Sequence, residues 1–155
     1  MQKFLITELG YLALKKTLDH LKNNERPKII QQIATARELG DLRENAEYHS
    51  AKEKQGFIEA QIADYEDKIN RAEIVYINKL SGNKVIFGCT ATLDNGKKTI
   101  AYKIVSDFEA NLDLGLISIN SPVAKAIIGK EVGEEVEIST PGGVVTYEIL
   151  NIEFK

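Results

Sequence analysis

Apolar residues recur at helical spacing through most of the first half of the chain. From Ala51 onward they fall into heptads, with Ala51, Ile58, Tyr65 and Ala72 at one position and Ile62 and Ile69 at the other. A repeat of seven predicts a helix whose seam packs against a partner helix. Upstream, Leu14, Leu18 and Leu21 begin a similar stripe, Pro27 interrupts it, and Ile29, Ile30, Ile33 and Ala36 resume it. Proline lacks the N–H that a helix interior needs, so this first arm is either two helices or one kinked near Pro27. Gly40 can end the arm in a left-handed conformation and Asp41 can cap the next helix, which reverses the chain within a few residues. Two antiparallel arms of about 30 residues, at about 1.5 Å rise per residue, predict a hairpin of roughly 40 Å. Its tip, residues 39–47, is expected to project from the rest of the protein.

Near residues 75–83 the period changes, and short β-branched runs alternate with Gly, Asn and Pro. Asp94-Asn95-Gly96 between Thr90–Leu93 and Thr99–Val105 predicts a hairpin. Pro141-Gly142-Gly143 between Val136–Ser139 and Val144–Ile152 predicts a second. Ser121 and Pro122 suit the cap and first position of a short helix through Ile128, with Gly129 as its exit. The reading is α+β: a coiled-coil hairpin domain over residues 1–78, and an antiparallel sheet carrying one helix over residues 79–155.

Composition removes several function classes. An apolar fraction of 43% and a charged fraction of 28% are those of a protein that folds in water. The apolar runs are too short to cross a bilayer, and Phe4-Leu5-Ile6 is too short for a secretory signal, so the expected location is the cytoplasm with no membrane partner. Cys89 is the only cysteine, which excludes an internal disulfide. Its apolar neighbours mark it as a buried small side chain rather than a reactive thiol. His20 and His49 have no partner at metal-ligand spacing, so no independent metal or cofactor site is expected. A net charge of −3, spread over both halves, is unlike that of a free-standing nucleic-acid binder. Contact with nucleic acid would then be local, or made beside another protein.

The run Arg37-Glu38-Leu39-Gly40-Asp41-Leu42-Arg43-Glu44-Asn45-Ala46-Glu47-Tyr48 crowds charge onto the predicted tip. Asp41 and Glu44 have the spacing of a capping box, which stabilises a helix start by about 1 kcal/mol. Capping does not account for Glu47 and Leu42 at the end of a long rod, and capping and chemistry are compatible.

The run Gly40–His49, continued by Ala51-Lys52-Glu53-Lys54-Gln55-Gly56-Phe57-Ile58-Glu59, resembles the signature of the GreA/GreB family of bacterial transcription elongation (transcript-cleavage) factors. The likeness extends to Arg26-Pro27, to Ala36-Arg37-Glu38, to Asn120–Lys130 and to Pro141–Val145, and so covers nearly the whole chain. It implies a coiled coil that enters the secondary channel of RNA polymerase, and an FKBP-like C-terminal domain that docks on the channel rim. Asp41 and Glu44 are then the catalytic acids, helping to hold a second Mg²⁺ of the polymerase active site for hydrolysis of backtracked RNA. Arg37, Arg43 and Lys52 are the candidates for contact with the nascent RNA 3′ end; their bland reading is as solvated helix charges paired with Glu neighbours. Arg43 stands where members of the family often carry other polar residues. On this reading the protein is a monomer when free and is no enzyme itself, but stimulates the polymerase. The rivals are a same-fold inhibitor of cleavage, a stand-alone prolyl isomerase or nuclease, and a coiled-coil adaptor. FKBP-like topology alone does not carry isomerase activity, and the aromatics Phe87, Tyr102, Phe108, Tyr147 and Phe154 read mainly as core.

Overall fold

The computed structural model describes residues 2–155. The chain divides into two compact units, Tyr11–Arg71 and the combination of Met1–Gly10 with Ala72–Lys155. By this division the start of the chain and residues 72–78, read from the sequence as part of a hairpin domain over 1–78, group with residues 79–155. The cause is a parallel strand pair. β1 (Phe4–Thr7) aligns with β2 (Ala72–Val75), Phe4 beside Ala72 and Thr7 beside Val75. Parallel strands need a long connection between them. Here the whole helical hairpin is that connection.

The hairpin unit is made of three helices. α1 (Glu8–His20) runs into a π-helical turn over Leu21–Glu25, in which the Arg26 N–H reaches back to the Leu21 carbonyl, and α2 (Arg26–Arg37) continues with Pro27 in its first turn. The wider winding comes just before Pro27, whose missing N–H costs nothing at a helix start. α3 (Ala46–Arg71) returns along this arm. Leu21, Ile29, Ile33, Ala51, Ile58 and Ile62 form one buried cluster, with Leu18, Tyr48 and Tyr65 packed against it. The heptad therefore places the seam through Ile62 and Tyr65. Three expected positions depart from it: Ile30 is 52% exposed, Ile69 is half-buried outside the cluster, and Ala72 lies in β2. Across the seam, Arg26 grips Glu59 with two hydrogen bonds of 2.9 and 2.7 Å.

In the sheet unit, β3 (Thr90–Asp94), β4 (Thr99–Val105), β5 (Leu116–Ser118), β6 (Glu135–Thr140) and β7 (Gly143–Glu153) form one five-stranded sheet in the order β5-β4-β3-β7-β6. The pairs are antiparallel except β4–β5, which is parallel, so the sheet is mixed rather than wholly antiparallel. Both predicted hairpins form. Their alternation buries Ala91, Leu93, Val136, Ile138 and Ile149 together with Val85, Phe87, Cys89, Ile104 and Ile117, and α4 (Pro122–Ile127) closes the core with Ala124 and Ile127. Ser121 caps α4, accepting from the Ala124 N–H at 3.2 Å. Leu5 and Val75, from the parallel pair, pack against this core.

No helix among the described residues is long and apolar enough to cross a membrane.

Candidate functional site

The turn between α2 and α3 carries the charged motif. α2 stops because Gly40 takes φ +129°, a region that side chains other than glycine avoid. Asp41 then caps a single 3₁₀ turn, Leu42–Glu44, its Oδ1 accepting from the Arg43 N–H at 3.0 Å. The expected capping box therefore does not start α3. Asn45 does, its Oδ1 accepting from the Tyr48 N–H at 2.9 Å. A 3₁₀ turn intervenes, so the cap of the long helix falls four residues after Asp41.

Asp41 and Glu44 are exposed and line one shallow hollow of about 400 Å³ with Leu39, Asn45, Ala46 and Glu47. Among the described residues no partner side chain holds Glu44. Glu44, and the Asp41 oxygen not used in its cap, can thus face a ligand brought by another molecule. As donors they suit a hard divalent cation, which takes carboxylate oxygens. Among the described residues, however, no three His, Cys, Asp or Glu side chains converge as a ligand set.

The basic candidates divide. Arg37 and Lys52 line one groove of about 260 Å³ with Ile30, Ile33, Ala34 and Gln55. Arg37 lies over the Tyr48 ring, 5.8 Å from its centroid, and the Lys52 ammonium donates to Gln55 at 3.1 Å. Arg43 is outside this groove, on the exposed 3₁₀ turn, where its carbonyl accepts from His49 Nε2 at 3.2 Å. The hairpin's ion pairs lie elsewhere, at Lys22–Glu66, Arg26–Glu59, Asp64–Lys68 and Asp67–Arg71. Among the described residues, none of Arg37, Arg43 and Lys52 pairs with a glutamate.

The sheet unit has its own concavity, an apolar groove of about 400 Å³ whose lining includes Tyr102, Leu112, Leu116, Ile117, Pro122 and Val123. Tyr102 is the only aromatic among the lining residues. Leu112 in this lining is 76% exposed, and Leu114, two residues further along the chain, is 71% exposed. Sequence patterning missed β5 and this groove, because exposed leucines in a loop carry no period.

A helical hairpin with an acidic tip, joined to a mixed sheet, defines the class of protein. The sequence model described as "Transcription elongation factor, N-terminal" matches residues 4–74, and that described as "Transcription elongation factor, GreA/GreB, C-term" matches residues 80–154. A transcription elongation factor GreA from Beijerinckia indica is 52% identical over 157 residues, covering 100% of both chains. One from Pasteurella multocida is 51% identical over 158 residues, again covering 100% of both. The solved GreA factor homolog 1 of Thermus thermophilus overlays with a TM-score of 0.45 at 27% identity, over 98% of this chain and 99% of that one. The chain belongs to the GreA/GreB family of transcription elongation factors.

Proposed function

We propose that the protein binds RNA polymerase, places the tip of its hairpin in the secondary channel and stimulates cleavage of backtracked RNA, so that arrested complexes resume synthesis. The observation that carries this reading is the pair of exposed carboxylates, Asp41 and Glu44, on one short turn between two packed helices. The turn presents charge without neutralising it. Two carboxylates alone hold Mg²⁺ weakly, and the remaining ligands belong to the polymerase and the RNA phosphates. A second divalent cation held there supplies Lewis-acid stabilisation of the in-line phosphoryl displacement. The chain's own part is to bring two negative oxygens to the ion and to hold them on a fixed turn.

Arg37 and Lys52, on one groove of the hairpin and outside any ion pair, are placed by this reading beside the nascent RNA 3′ segment; Arg43 contacts RNA from the tip turn. The sheet unit docks on the polymerase, and its apolar groove, with the exposed Leu112 in its lining, suits a partner helix that covers exposed leucines. The protein acts in the cytoplasm and as a monomer when free. The test is an assay on stalled elongation complexes. RNA should shorten only when polymerase, Mg²⁺ and the protein are all present, and Mg²⁺-dependent cleavage of naked RNA by the purified protein would show that the catalytic centre is its own.

A further inference from the structure

Among the described residues, Asn45 is the one buried polar side chain of the hairpin unit, 9% exposed amid a turn whose other residues face solvent. Buried amides are retained where both ends are satisfied. Asn45 satisfies both, and its two bonds go to different arms. Oδ1 caps α3 through the Tyr48 N–H, and Nδ2 donates to the Ala36 carbonyl near the end of α2 at 2.5 Å. The second bond spans nine residues and closes a loop that contains both Asp41 and Glu44. Ala36 O also accepts the Leu39 N–H at 3.1 Å, so one carbonyl anchors the outgoing and the returning chain together.

We infer that Asn45 is a positioning residue for the catalytic pair: its bond to Ala36 O fixes the loop on which Asp41 and Glu44 stand, beyond its role as a helix cap. This rests on the reading of those two acids as Mg²⁺ ligands. Closing a loop in the free protein removes its conformational freedom before any ligand arrives, so that ordering is not charged against ion binding. Groups that orient metal ligands in this way alter metal affinity or activity about 10–100-fold when removed. A cap alone would have no such effect, because its energy belongs to the helix.

The two roles separate by chemistry. Ser and ionised Asp both serve as caps and so keep the acceptor for Tyr48 N–H, but the single Ser oxygen cannot stand at both amide positions and a carboxylate has no proton to donate to Ala36 O. Asn45→Ser leaves that carbonyl with Leu39 N–H, and Asn45→Asp sets a carboxylate oxygen against it. The experiment has two arms on the full chain. In the first, backbone order parameters and amide exchange are measured by NMR in the free protein. Both variants should loosen residues 41–44 while protection at Ile58 and Ile62 is unchanged. In the second, cleavage by stalled complexes is titrated with Mg²⁺ at saturating protein. Both variants should need about 10-fold more Mg²⁺ for half-maximal rate. Their competition for polymerase should be unchanged, and high Mg²⁺ should restore the rate.

An unchanged tip with an unchanged Mg²⁺ requirement would overturn the inference. So would loss of protection throughout α3, which would make Asn45 an ordinary structural cap. Normal cleavage by Asp41→Asn and Glu44→Gln would overturn the underlying reading as well. Inactive amide variants beside fully active Asn45 variants would overturn the positioning role alone.

Discussion

Cys89 is fully buried in the sheet core, and burial pushes its thiol above the ordinary cysteine value. A neutral acid held this way keeps its proton in the fold, whereas the unfolded chain releases it at lower pH. The stability this contributes is fully present below the ordinary thiol pKa and is lost as pH rises from there through the raised folded value. The native protein should therefore resist a maleimide at neutral pH and react once denatured; rapid native labelling would show that the core opens. Burial of Cys89 was legible from its apolar neighbours, and the tip was legible in Gly40 and Asp41, whose conformational and capping preferences are local. Asn45 was not. Its partner is a backbone carbonyl nine residues away, and no side-chain pattern records a carbonyl.

Between α2 and α3 the Arg26 fork, by hydrogen bonding, holds the Glu59 carboxyl below the ordinary carboxylate value. A depressed carboxylate adds stability above its ordinary value and loses it as pH falls through the folded one. Both side chains meet solvent, so the effect is small and salt-sensitive. Glu59→Gln should narrow the difference in melting temperature between neutral and acid pH, and salt should shrink that change further. The seam is a larger matter. Ile62 is 2% exposed, and Ile62→Ala should cost about 2–5 kcal/mol in denaturant unfolding of the hairpin unit. A cost near zero would mean that the heptad seam is not the packed interface.

The heptad made this seam readable as far as Tyr65, because a seven-residue period is a local property. The end of α3 at Arg71 was not readable. Ala72 continues the period, but its backbone is claimed by pairing with Phe4 across the whole hairpin. Near that pairing, Glu109 accepts from Thr7 Oγ1 and from Ser106 Oγ, the latter at 2.6 Å. A methyl group added at Gly10 would stand 2.2 Å from the same carboxylate. Gly10→Ala should displace Glu109 from those bonds and lower stability by about 1–3 kcal/mol, measured by thermal unfolding. An unchanged melting temperature would show that the carboxylate swings aside freely.

For the molecule as a whole, the change of period near residues 75–83 revealed two parts, and it is also where the two family models part, between residues 74 and 80. It could not reveal that Leu5 and Val75 cover the sheet core, since β1 and β2 are separated by more than sixty residues of helix and turn. A chain with Tyr11–Arg71 replaced by a flexible linker should therefore melt higher than residues 79–155 alone. It should also compete with the full chain for polymerase and stimulate no cleavage. Failure to compete at high concentration would remove docking from the sheet unit.

The central claim is that the tip carboxylates act by their charge, and the Asp41→Asn and Glu44→Gln variants measure it directly. Asn at 41 can still accept from the Arg43 N–H, so the turn keeps its cap. The amide at 44 breaks no bond among the described residues. Neither supplies the negative oxygen that a second Mg²⁺ needs. In stalled elongation complexes, each variant should bind polymerase as the unmodified protein does, melt at nearly the same temperature and lose most of its stimulation of RNA cleavage, and the double variant should inhibit the unmodified protein by competition. Normal cleavage by both amide variants would contradict the account, leaving Asp41 a cap and Glu44 a solvated side chain.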